Sequence, residues 1–180
     1  TCCLFAYVVN GQLPLHFVTL HDELSLLILN RLIMLALIWA WPASAKVPIK
    51  DGQLPLHIVA RDSSSAEITL ALIWAFPGAV KVASKGLLPL HLAAIRGHVG
   101  PTVALIRAWP AAAAVAVWSK NWLPLHLAQL PPLHYGHGSG AVRWLYDTAP
   151  ADAEVTVALI KAFPAAAKMV DYMGCLPLHY

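Results

Sequence analysis

The sequence predicts an all-α chain: a solenoid of stacked helix-turn-helix repeats joined by short turn fingers, with little or no β-strand. Three observations carry this expectation. The tetrapeptide L-P-L-H starts at Leu13, Leu54, Leu88, Leu123 and Leu176. Between its copies runs a second signature, "LALIWAWP" at 35–42, "LALIWAFP" at 70–77, "VALIRAWP" at 103–110 and "VALIKAFP" at 157–164. Finally, 59% of the residues are hydrophobic and only 12% charged, with a mean hydropathy of +0.64. A chain this apolar must bury most of its surface against itself, a neighbour or lipid, whereas disorder requires low hydrophobicity and many charges.

The L-P-L-H starts lie 41, 34, 35 and 53 residues apart, so the unit is 34 or 35 residues long and the outer two copies carry insertions. The chain divides into the exit of a preceding repeat (1–10), repeats at 11–51, 52–85, 86–120 and 121–173, and the start of a fifth at 174–180. The fourth repeat holds an insertion at about 130–150. The chain begins on Thr and stops as a new unit opens, which reads as a piece of a longer protein.

Within a unit each segment has a local reason for its shape. Gly11, Gly52, Gly86 and Gly174 stand two residues before the first Leu, and Asn121 takes that place once. Gly and Asn tolerate positive φ, so a turn belongs there. The Pro of L-P-L-H suits the first turn of a helix, where its missing N–H leaves no bond unmade, and "PLHLAAI" continues as a short helix. In the second run Val103, Leu105, Ile106 and Trp109 recur at helical spacing. Pro110 disfavours the α conformation at Trp109 and sets a boundary there, and the alanines that follow can add one more turn. "LHDELSLLILN" lengthens the first unit. In the fourth, "AVRWLYDTAP" predicts an additional short helix after a "GHGSG" loop.

Turn, helix, turn, helix in about 33 residues, with "GLLPLHLAAIRGH" at 86–98, resembles the ankyrin repeat. Its G-x-x-P-L-H-x-A-A-x-x-G-H matches at each fixed position except the Thr, replaced by Leu88. The L-P-L-H openings and A-x-P-x-A-A exits resemble a divergent variety of that family over nearly the whole chain. The resemblance implies a non-catalytic scaffold that binds a protein partner. In typical members the Thr hydroxyl helps tie the His into the turn; Leu cannot, so irregular fingers are expected.

Twelve Lys and Arg against nine Asp and Glu give a net charge of +3 with no basic cluster, so no nucleic-acid partner is expected. Cys2, Cys3 and Cys175 form neither a disulfide framework nor a zinc motif, which fits a reducing compartment, cytoplasmic or nuclear. His16, His57, His91, His126 and His179 share one setting, but neighbouring units in such an array lie about 10 Å apart, too far to share an ion. They read as struts bonded to backbone at the turns. His134 and His137 make a bare H-x-x-H without further ligands. Ser63, Ser64 and Ser65 lack a nucleophile elbow and fit a loop ending in a helix cap. No phosphate-cradling loop is present. No cofactor, metal or catalytic activity is therefore expected. Trp41, Phe76, Trp109 and Phe163 hold equivalent places and read as packing of unit on unit. The apolar run Leu24–Ala43 has the length of a membrane span, but Arg31 lies near its centre, which argues against insertion.

By the resemblance, partner binding would use finger residues and the exposed side of the first helices: Asp51, Gln53, Arg61, Asp62, Ser84, Lys85, Leu87, Ile95, Arg96, Lys120, Trp122 and Tyr172, with Cys175 beside them. Trp122, at a variable finger position, is expected to be exposed and to act as a hot spot. Two other readings stay open: an accessory repeat region of an enzyme or membrane protein whose working domain lies outside this sequence, and a membrane-associated helical protein.

Overall fold

The Pro of each described opening starts a helical turn. In the computed structural model, which describes residues 27–49, 51–117, 120–129 and 153–180, seven α-helices are defined. They are α1 (Leu27–Ala40), α2 (Pro55–Asp62), α3 (Ala66–Ala75), α4 (Pro89–Arg96), α5 (Val99–Ala108), α6 (Pro124–Gln129) and α7 (Ala153–Ala162). Helices α2, α4 and α6 all begin on the motif proline, and Pro177–His179 forms a single 3₁₀ turn at the fifth opening. The segment 1–10, the first opening with His16, and the insertion at about 130–150 with its expected helix and His134 and His137 lie outside the described residues.

Helix ends follow local chemistry. Ser65 caps α3, its hydroxyl accepting from the Ile68 N–H at 3.4 Å, with Glu67 in the first turn where the helix dipole favours an acid. Gly97 ends α4 in the left-handed conformation, φ 70°. The second helix of each unit stops before the aromatic that precedes proline, and these residues adopt nearly one geometry. The φ/ψ pairs are −145°/77° at Trp41, −145°/85° at Phe76, −151°/85° at Trp109 and −144°/82° at Phe163. The following proline excludes the α conformation there. The small-residue exits then wind into 3₁₀ turns, Pro42–Lys46, Pro77–Lys81, Pro110–Ala114 and Pro164–Lys168.

The helices line up in two rows. Helices α2, α4 and α6 pack side by side in that order, as do α1, α3, α5 and α7, and within a unit α2 packs on α3, α4 on α5 and α6 on α7. The core lies between the rows: Leu56, Leu72, Leu90, Leu105, Leu125 and Leu159 are 1–2% exposed. Burying one such side chain contributes roughly 1.5–3 kcal/mol. No strand occurs among the described residues, only isolated bridges between Ser84 and Leu87 and between Val117 and Trp122. No described helix is long and apolar enough to cross a membrane; α1 has 14 residues.

The exit aromatics are half-buried, and a lysine from the preceding unit covers two of them. Lys46 Nζ lies 5.7 Å from the Phe76 ring centre and Lys81 Nζ 5.7 Å from that of Trp109. The next unit breaks this series, because exposed Ala114 ends its 3₁₀ turn where the others have Lys. Ala114→Lys should place a cation over Phe163 and raise stability by about 0.5 kcal/mol, the usual size of an exposed cation–π contact. Urea unfolding should show the gain, and it should vanish in a Phe163→Leu background.

Candidate functional site

The motif histidines are the first chemistry-bearing side chains to place. His57, His91 and His126 have no exposed surface. In each the ring Nδ1 accepts the backbone N–H of the Leu that opens the motif: Leu54 at 3.2 Å, Leu88 at 3.1 Å and Leu123 at 3.2 Å. His179 repeats this bond with Leu176 at 3.0 Å from an exposed position. A backbone N–H thus ties in the ring, and no Thr hydroxyl is needed. Since Nδ1 is an acceptor, Nε2 carries the proton and donates outward. It reaches the Val82 carbonyl from His57 and the Val115 carbonyl from His91, both at 3.0 Å. Each ring therefore bolts the start of a unit's first helix to the residue that leaves its 3₁₀ exit. His126 Nε2 makes no hydrogen bond of good geometry, although the backbone at Cys175 and at Met169, the counterpart of Val82 and Val115, lies close enough to act on the ring. Burial lowers the His126 pKa, against the backbone at Cys175 and Met169 and the charge of Asp171.

Beyond each exit the chain turns through a finger. Lys85 and Gly86 have φ of 51° and 80°, and Ser84 and Leu87 exchange both backbone bonds at 2.9 Å. That is the tight turn with two positive φ angles, which suits the right-handed twist of paired segments. Asn121, at φ 54°, fills the glycine place in the next finger. The last finger closes with Asp171 N–H bonded to the Cys175 carbonyl at 2.9 Å.

The expected interaction residues divide by exposure. Asp51, Lys85 and Tyr172 are exposed; Arg61, Asp62, Arg96, Lys120 and Cys175 are half-buried. Gln53, Ser84, Leu87, Ile95 and Trp122 are buried, at 5–8%. The expectation that these five lie open is thereby corrected. The first helices have little free side: Ile58, Leu92 and Ile95 are all 5% exposed or less. Gln53, Ser84, Leu87 and Trp122 flank the turns and are covered, as are the motif leucines Leu54, Leu88 and Leu123.

Three groups form. Lys85 Nζ meets the Asp51 carboxylate at 3.0 Å, linking two fingers. Arg61 grips Asp62 through two bonds, at 2.8 and 2.6 Å, and reaches Gln53 at 3.4 Å; His98 Nε2 contacts the Arg61 carbonyl at 3.1 Å. The third group is the most built. Lys120 Nζ sits 4.4 Å from the Trp122 ring centre and 5.8 Å from that of Tyr172, while the two rings meet edge to face at 6.3 Å.

Trp122 is held there by a residue the sequence did not single out. Asp171, 5% exposed, accepts the Trp122 indole N–H at 3.0 Å and the Tyr180 hydroxyl at 2.6 Å through Oδ2. Its Oδ1 accepts the backbone N–H groups of Met173 at 2.8 Å and Cys175 at 2.9 Å. Burial alone would raise this carboxyl, but the bonds from Tyr180, Cys175, Trp122 and Met173 outweigh it and hold the group well below the usual carboxylate range. Burial, and then the Asp171 bond and charge, push the Tyr180 hydroxyl up. The missed signal was positional: Asp171 occupies the place of Ile49, Ser84 and Val117 in the other fingers. A second missed pattern is T-x-A-L at 69–72, 102–105 and 156–159. Thr69 Oγ1 donates to the Ser65 carbonyl at 2.9 Å and Thr156 accepts from Gln129 at 2.7 Å, while the Thr102 hydroxyl, fully buried, has no partner.

No protein-family model and no curated protein matches this chain. Among the described residues no three His, Cys, Asp or Glu side chains come together as a metal site would require.

Two outcomes follow from this geometry. Burial pushes His57 and His91 down to about 4 from an ordinary 6.5, against the opposing carbonyl bonds. The unfolded chain therefore takes up these protons first as pH falls. Stability should be full above about pH 7 and decline between 6.5 and 4 by about 3 kcal/mol for each ring, and below pH 4 protonation of the Asp171 carboxylate should carry the decline further. Urea midpoints across that range should trace the fall, and His91→Ala should halve it while costing about 3 kcal/mol at pH 7.5. Asp171→Asn turns an acceptor of four bonds into a poorer one. It should cost about 2 kcal/mol and shift Trp122 emission to the red as the ring gains water.

Proposed function

We propose that this chain is an ankyrin-type repeat scaffold, without catalytic activity, that binds a protein partner along its finger edge. The observation that carries the reading is the repeated strut: the same His, in the same tautomer, joins helix start to exit in consecutive units. A device used identically from unit to unit is a feature of assembly, and it leaves the finger tips free to vary. Two rows of helices packed in chain order support the same reading, since repeat arrays place each unit against its neighbours.

The open part of the edge is narrower than the sequence suggested. It comprises the tips at Asp51, Lys85 and Tyr172, with Lys120 between the two aromatic rings. Tyr172 is the side chain best suited to anchor a partner, being exposed, aromatic and backed by Trp122. The buried Trp122 supports that anchor from beneath.

The array reading is tested by removing one unit, residues 86–120. If stability is a sum of units and neighbour contacts, the shortened chain should keep a cooperative helical transition at lower urea; complete loss of helical signal would count against it. For the binding reading, affinity isolation should recover a partner that Lys85→Glu and Tyr172→Ala both lose. Their unfolding should stay within about 0.5 kcal/mol of the parent. Retention of the partner by both variants would remove the finger edge from the proposal.

A further inference from the structure

The second-helix row carries a surface that the finger edge does not explain. Aligning the units places Trp39, Trp74, Arg107 and Lys161 at one equivalent position of α1, α3, α5 and α7, and all four are exposed. Trp39 and Trp74 are 68% and 63% exposed, yet they stack on each other with ring centres 5.3 Å apart. One turn earlier on α3 and α7, Leu70 and Val157 are open as well. One 3₁₀ turn later Lys46, Lys81 and Lys168 form a second exposed line.

Charge on this side is segregated. The α1–α3–α5–α7 row and its exits carry Arg31, Lys46, Lys81, Arg107, Lys161 and Lys168 against Glu67 and Glu154 among the described residues, and Glu67 is engaged by Arg31. With neighbouring helices about 10 Å apart, the Trp–Trp–Arg–Lys line runs for about 30 Å. An occupant must therefore offer apolar depth at one end and negative charge along the whole line.

We propose that this face adsorbs to an anionic phospholipid bilayer. Trp39 and Trp74 would sit at the headgroup level, which suits an amphipathic indole, and the flanking Arg and Lys would pair with lipid phosphates. Adsorption needs no spanning helix. A second copy of the chain is the rival occupant, since a two-fold pair would set Trp39 and Trp74 of one copy against Lys161 and Arg107 of the other; a dimer in solution without vesicles that Trp39→Ser with Trp74→Ser abolishes would overturn the proposal. The surface is separate from the finger tips, so the proposal stands or falls independently of the partner-binding reading.

The test is co-sedimentation of the full chain with vesicles of phosphatidylcholine and phosphatidylserine in a 7:3 ratio, with pure phosphatidylcholine vesicles and soluble poly-glutamate as comparisons. The chain should pellet with the anionic vesicles, far less with neutral ones, and progressively less as salt shortens the Debye length. Arg107→Gln with Lys161→Gln should weaken binding about 25-fold, at about fivefold per cation near the surface. Trp39→Ser with Trp74→Ser should weaken it and also abolish the blue shift in tryptophan emission on adding anionic vesicles. Both pairs are solvent-facing, and far-UV circular dichroism checks that each variant is folded. No pelleting above the neutral control overturns the proposal. So does equal binding by both variant pairs, or tighter binding to poly-glutamate than to the vesicles, which would make the occupant a soluble acidic chain.

Discussion

The rest of the structure depends on one buried hydrogen-bonded ring per unit. Each of His57 and His91 joins two backbone groups of one unit, an N–H at the start of the first helix and a carbonyl beyond the 3₁₀ exit. The N–H at each helix start is buried and would otherwise lack a partner, a cost of about 1–3 kcal/mol, while the carbonyl beyond the exit is part-buried. The ring is neutral because it is buried, and its tautomer is fixed because Nδ1 has only a donor to meet. With the start and exit of a unit pinned together, the helices between them fold back on each other. The finger then leaves at a set angle, so one histidine governs the geometry of a whole unit.

The fourth unit shows what happens when that arrangement is incomplete. His126 keeps its inner bond, but its Nε2 makes no well-formed bond to the exit. This is the unit that the sequence shows to be lengthened. Its finger is secured instead from the far side, by the Asp171 carboxylate collecting four donors, among them the Trp122 indole of the preceding finger. The Asp171 bond takes Trp122 from a position expected to meet a partner to one that supports Tyr172. The edge offered outward is therefore a few tips, and a second open apolar area lies on the opposite row at Trp39 and Trp74.

Much of the fold was legible in the residues because its determinants are local. Proline at a first helical turn, glycine or asparagine at a positive φ, and proline after an aromatic each act within a few residues, and their recurrence gave the unit. Fingers without regular strands were expected from the missing Thr, and none is a strand among the described residues, although a backbone N–H ties in the His without it. The site was legible only in part. Lys85 and Tyr172 are exposed as expected of finger tips, but Leu87 and Ile95 are buried, because exposure depends on what a neighbouring unit covers. Asp171 escaped notice because its donors come from residues up to 49 positions away. T-x-A-L was readable and simply less conspicuous than L-P-L-H.

The sequence by itself determined where each helix begins and ends, which residues turn, and that the pattern repeats. Those are short-range steric and hydrogen-bonding constraints, the same in each copy. Tertiary structure alone decided which faces are covered, which tautomer each histidine holds, and that a carboxylate inside the last finger carries four bonds. Those outcomes depend on desolvation and on partners supplied by other units, and a periodic sequence specifies the periodicity without specifying what each copy meets.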